Sequence, residues 1–134
     1  MAKSSGGGGR GGGDSNGNGI GKLAVSASTL GNFDKNATLE DGSSISTLKN
    51  SVAGMAQDAY ERVGKNWDKP GVAQHSRQLV EDVIAKSFRE KYGGNAVNVF
   101  TKNSRGQKAM TTIGRSHLDD VARVVNNRLM LDHK

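Results

Sequence analysis

The chain has 134 residues, no cysteine and a formal net charge of +6. The lack of cysteine excludes disulfides, thiolate metal sites and a cysteine nucleophile. No apolar run approaches the roughly 20 residues that a membrane helix needs, and the N-terminus lacks the apolar core of a secretory leader. These features predict a cytoplasmic protein with no membrane partner, and the length leaves room for one small domain.

The charge is unevenly placed. Residues 1–22 hold three basic and one acidic side chain, and residues 23–101 are balanced with nine of each. Residues 102–134 hold seven basic and three acidic side chains. The excess therefore lies in the first stretch and the last third. A localised basic excess points to an anionic partner such as nucleic acid. The plainer reading is a solvated surface that keeps the protein soluble.

In chain order, residues 1–22 form a low-complexity stretch dominated by Gly6–Gly9 and Gly11–Gly13. Glycine loses the most backbone entropy on ordering, and nothing here can be buried in return. A disordered glycine-rich tail is predicted, with the domain occupying 23–134. Arg10 set in polyglycine resembles an RGG-type RNA-binding segment in composition. Such segments repeat the arginine and this one does not, so a plain flexible arm is the favoured reading.

Residues 23–28 alternate Leu23, Val25 and Ala27 with smaller or polar residues, which predicts a short strand or an extended arm. Residues 31–42 are polar and turn-rich, a loop pinned by Phe33 and Leu39. A first helix is predicted over 44–63, with Ile45, Leu48, Val52, Met55, Ala56, Ala59 and Val63 on one face. Gly54 weakens it or permits a close helix crossing, and Gly64 is the expected C-cap. A turn around Trp67 leads to a second helix over 70–91, with Pro70 in its first position. Trp67 is expected to pack over the joint. Val72, Leu79, Val80, Val83, Ile84 and Phe88 form the second apolar face, and Gly93-Gly94 ends the helix. Such a short turn predicts an antiparallel helix pair.

From residue 95 the period changes. Val97 and Val99 fall on one side and Phe100 on the other, and 107–113 is the expected partner strand. Lys102, Asn103, Ser104, Arg105 and Gly106 supply a basic turn. The last helix follows. Ser116 is its expected N-cap, with Asp119 completing a capping box and Asp119 and Asp120 in the first turn. Leu118, Val121, Ala122, Val125 and Leu129 form its buried stripe. The fold class is thus α+β: a small, mostly helical domain in the order helix–helix–β-hairpin–helix.

The strongest chemical constellation combines Lys102, Arg105 and Lys108 at the hairpin tip with Arg115, Ser116 and His117 at the helix start. If the hairpin folds toward the helix, free N–H groups, the dipole and the basic side chains form a phosphate pocket. Arg123, Asn127 and Arg128 could reach base edges from the exposed face of the helix. Against this stands a capped helix with ordinary solvated bases.

His75, His117 and His133 are the only histidines. A histidine pair can act as acid and base in a metal-independent ribonuclease. However, His75 reads as a core or boundary residue and His133 as part of a fraying end, leaving His117 as the one catalytic candidate. There is no metal-ligand spacing and no nucleotide-binding loop, so no metal or cofactor is expected. The favoured expectation is a small nucleic-acid-binding protein of bacterial or phage character that contacts DNA or RNA phosphates through the hairpin and last helix. The alternatives are a histidine-dependent nuclease of toxin type, and a non-enzymatic module with a protein partner, such as a virion component or an inhibitor.

Overall fold

The computed structural model describes residues 19–102 and 105–134. The expected tail up to Asn18 and the tip residues Asn103 and Ser104 lie outside the described residues. The elements run α1 (Ile20–Ser26), a 3-10 turn (Thr29–Asn32), β1 (Thr38–Leu39), α2 (Ile45–Lys65), α3 (Ser76–Tyr92), β2 (Val97–Lys102), β3 (Lys108–Ile113) and α4 (Arg115–Asp132). This is a small α+β domain with the expected helix–helix–hairpin–helix order, preceded by one further short helix.

That first helix replaces the short strand expected over 23–28. Ile20 and Ala24, and Gly21 and Val25, are i,i+4 pairs and all four are buried. With Ile20 and Gly21 included, the helical period accounts for the burial better than alternation does. The helix therefore starts inside the stretch assigned to the tail. It crosses α2 very closely. A Cβ on Gly21 would lie 1.9 Å from the carbonyl oxygen of Ala53. The Gly21 N–H donates to the Gln57 side chain at 3.2 Å. The close crossing that Gly54 would permit is thus made at Gly21; a Cβ on Gly54 would meet nothing within 4 Å.

α2 begins as expected. Ser44 caps it by accepting the Thr47 N–H, and the predicted apolar face is buried. It runs past Gly64 to Lys65 and ends at Asn66. α3 starts six residues later than Pro70, at Ser76. Gly71 has φ +83°, a left-handed conformation that breaks the helical run directly after the proline. His75 is the N-cap residue and is exposed, not part of the core. Ser76 is buried, and its hydroxyl bonds the Asn126 side chain of α4 at 2.5 Å. Gly93, at φ +75°, ends α3 as expected.

The sheet has the antiparallel order β1-β2-β3, with Leu39 opposite Val99, Val99 opposite Thr111 and Val97 opposite Ile113. β1 lies within the expected loop, where Leu39 is buried and Phe33 packs at the core's edge. Leu39, Val99 and Ile113 join the apolar faces of the four helices in one core. The opposite face of the sheet carries Thr38, Phe100 and Met110 across one rung, and Lys102 and Lys108 across the next on that face.

α4 buries the predicted stripe of Leu118, Val121, Ala122, Val125 and Leu129. Its start differs from expectation. The N-cap is Gly114, not Ser116, and the His117 ring accepts the Gly114 N–H on Nδ1 at 3.2 Å. Glycine has no side chain to return the bond, so this is half of a capping box. With the helix beginning at Arg115, Asp119 and Asp120 fall in its second turn.

Candidate nucleic-acid interface

The strand period decides what faces solvent at the hairpin. Side chains alternate between faces along a strand, so burying Val97 and Val99 turns Asn98, Phe100 and Lys102 outward. On β3 the same register turns Lys108, Met110 and Thr112 outward. Thr112 donates to Asn98, which donates in turn to Glu40. Lys102 and Lys108 are both exposed and stand directly opposite each other. Like charges at opposed strand positions are destabilising. The Lys108 ammonium lies 4.7 Å from the centre of the Phe100 ring. Among the described residues, neither lysine forms an ion pair. Arg105 is exposed beside them at the tip.

These groups border an open groove of about 590 Å³, whose far wall carries Asp34, Asn36 and Thr38. Asp34 holds that wall in shape by accepting the Asn36 N–H at 2.9 Å. The groove is thus lined by one carboxylate, one aromatic ring and two ammonium-bearing side chains.

The helix start lies elsewhere. β3 separates Lys108 from Ile113 by five residue steps, roughly 17 Å of extended strand. Gly114 sits against Asn95 and Ala96 at the base of the hairpin. Lys102, Arg105 and Lys108 are therefore brought together, but Arg115, Ser116 and His117 are not brought to them. The single phosphate pocket expected from a folded-over hairpin is not formed.

Along α4, the arginines are compensated by their own helix. Arg115 pairs with Asp119 at 3.6 Å, Arg123 with Asp120 at 2.9 Å and Arg128 with Asp132 at 3.2 Å. Asp120 also takes the Thr29 N–H at 2.6 Å. That backbone bond and the Arg123 guanidinium hold its carboxyl below the ordinary value. Asp132 is held low first by the Tyr60 hydroxyl and then by Arg128. Burial, and the bond to Asp132, raise the Tyr60 hydroxyl. Ser116 and Asn127 are exposed.

His117 is occupied structurally. Its Nδ1 accepts the cap bond and its ring packs edge-on to Phe33 at 5.6 Å. His133 is the C-cap of α4 and stacks on Trp67 at 4.9 Å, so Trp67 packs on α4 as well as over its own turn. Among the described residues, no three His, Cys, Asp or Glu side chains come together to hold a metal. No described helix is long and apolar enough to cross a membrane.

The hairpin bases are visible in the sequence, but the groove beside them is not. The strand period sets Phe100 opposite the valines, so its outward position is readable in the sequence. Asp34, Asn36 and Thr38 come from a segment some sixty residues away and carry no local sequence signature. The chain matches no family model, no curated protein and no solved structure.

Proposed function

We propose that this domain binds nucleic acid, with the outer face of the hairpin as the main phosphate contact and α4 in a lesser role. The observation that carries this reading is the Lys102–Lys108 rung. Two lysines at directly opposed strand positions oppose folding, and a phosphate bridging their ammonium groups would turn that repulsion into attraction. Local rules tend to be broken at functional sites. The arginines of α4 offer less, because each already has a carboxylate on the same helix.

The test is a mobility-shift titration with single-stranded and duplex DNA at low and physiological salt. It compares wild type with Lys102→Ala/Lys108→Ala and with Arg123→Ala/Arg128→Ala. The lysine variant should bind at least ten-fold more weakly. Its salt slope should flatten by about 1.4 to 1.8, the equivalent of two lost phosphate contacts. The arginine variant should stay within a few-fold of wild type. Absence of wild-type binding at low salt would overturn the reading, and cleavage products would replace it with the nuclease.

A further inference from the structure

We propose that the occupant of this groove is a single strand of nucleic acid, one of whose bases lies against Phe100. The proposal rests on the nucleic-acid reading above and narrows it. Phe100 sits on the solvent side of the sheet, opposite Thr38 on one strand and Met110 on the other. The core it could have joined is on the other face, filled by Val97, Val99 and Ile113. An aromatic ring one rung from a pair of lysines on an open sheet face matches what single-strand binders use: π-faces for the bases, ammonium groups for the backbone.

The groove's shape and charge select the same occupant. At about 590 Å³ it has the size of a small-molecule site, with room for an unpaired base and its sugar. In a duplex both faces of each base are already stacked, so none can lie on the ring. Asp34, on the wall facing the lysines, repels a phosphate and can accept hydrogen bonds from a base edge. The backbone is thereby favoured on the side of Lys102 and Lys108. Lys108 rests over the ring, but an exposed ammonium–ring contact is weaker than base-on-aromatic stacking. An arriving base displaces the ammonium, which stays on its flexible stem within reach of the adjoining phosphate.

The experiment is a fluorescence-anisotropy titration of the full chain with three labelled DNAs: a mixed-sequence single-stranded 12-mer, its duplex, and a 12-mer of the same charge with abasic sites throughout its centre. Wild type should bind the intact strand at least ten-fold more tightly than the abasic one. Phe100→Leu should lose about ten-fold on the intact strand and change little on the duplex, and Phe100→Trp should retain or improve binding. Equal wild-type affinity for intact and abasic strands would overturn the proposal and leave phosphate binding standing; this arm needs no variant, so misfolding of Phe100→Leu cannot obscure it. Unchanged single-strand binding by a folded Phe100→Leu would also overturn it. No wild-type binding to any of the three DNAs would remove the broader reading as well.

Discussion

Replacing Gly21 by alanine should lift the first helix off the second. The new Cβ would lie 1.9 Å from the Ala53 carbonyl oxygen and 2.7 Å from its carbon. Both are backbone atoms in the interior of a 21-residue helix, so α1 must give way. Reaching an ordinary C···O contact of about 3.3 Å requires a shift of roughly 1.4 Å. That shift breaks the bond from the Gly21 N–H to Gln57 and opens the packing of Ile20, Ala24 and Val25. Full exposure of an Ile or Val side chain costs about 1.5–3 kcal/mol. Half of that for two side chains, plus one lost hydrogen bond, gives a destabilisation of about 2–4 kcal/mol. A seven-residue helix has little stability of its own to resist the displacement.

Gly54→Ala is the internal control. Its Cβ enters open space in the middle of a helix, so it should stabilise by about 0.5–1 kcal/mol. Urea unfolding followed by circular dichroism measures both variants. Thermal midpoints should fall by roughly 8–16 °C for Gly21→Ala and rise by about 2–4 °C for Gly54→Ala, at about 4 °C per kcal/mol for a domain of this size. A Gly21→Ala variant within about 0.5 kcal/mol of wild type would refute the close crossing.

Three further outcomes follow from the α4 contacts. Asn126→Ala leaves the buried Ser76 hydroxyl without its partner and should cost about 1–3 kcal/mol. Ser76→Ala/Asn126→Ala should lose less than the sum of the two single changes, which a double-mutant cycle in urea measures. His117→Ala should lose about 1 kcal/mol with the helix cap and the Phe33 contact, while His117→Gln keeps most of it, as thermal unfolding would show. Asp120→Asn should lower stability at neutral pH by about 1 kcal/mol. Because the folded Asp120 carboxyl titrates below its ordinary value of 3.8, its contribution is complete above about pH 4. It is lost as pH falls through the lower folded value, so the gap between wild type and Asp120→Asn should close only in strong acid.

The parts of the fold that could be read in the sequence are those with several turns of one period. α2 and α4 each repeat apolar residues over four or more turns, and no other pattern fits them. The hairpin was readable from the change of period at Val97 and from the basic, glycine-containing turn. α1 is not, because both of its buried pairs depend on Ile20 or Gly21, which lie among glycines and read as tail. β1 is two residues long, too short to show a period. Ser116 looked like the better cap by residue type, but the reach of the His117 ring moves the helix start to Arg115. In the candidate site, the bases were visible and their balance only partly so. The i,i+4 spacing of Arg115 with Asp119 and of Arg128 with Asp132 is in the sequence. The opposition of Lys102 and Lys108 needs the strand register, and the groove needs the segment around Asp34.

The stack of Trp67 on His133 gives the molecule an optical label at a known seam. Trp67 is the only tryptophan in the chain, and its ring lies 14° from parallel to the imidazole at the end of α4. Indole emission therefore registers the seating of the C-terminus beside the end of α2, where Tyr60 also bonds Asp132. Circular dichroism averages over all the helices. Superimposed emission and dichroism curves would mean that the last helix leaves only when the whole core does. An emission change at lower denaturant would mean that the chain's end peels away first, with the hairpin and its groove still in place.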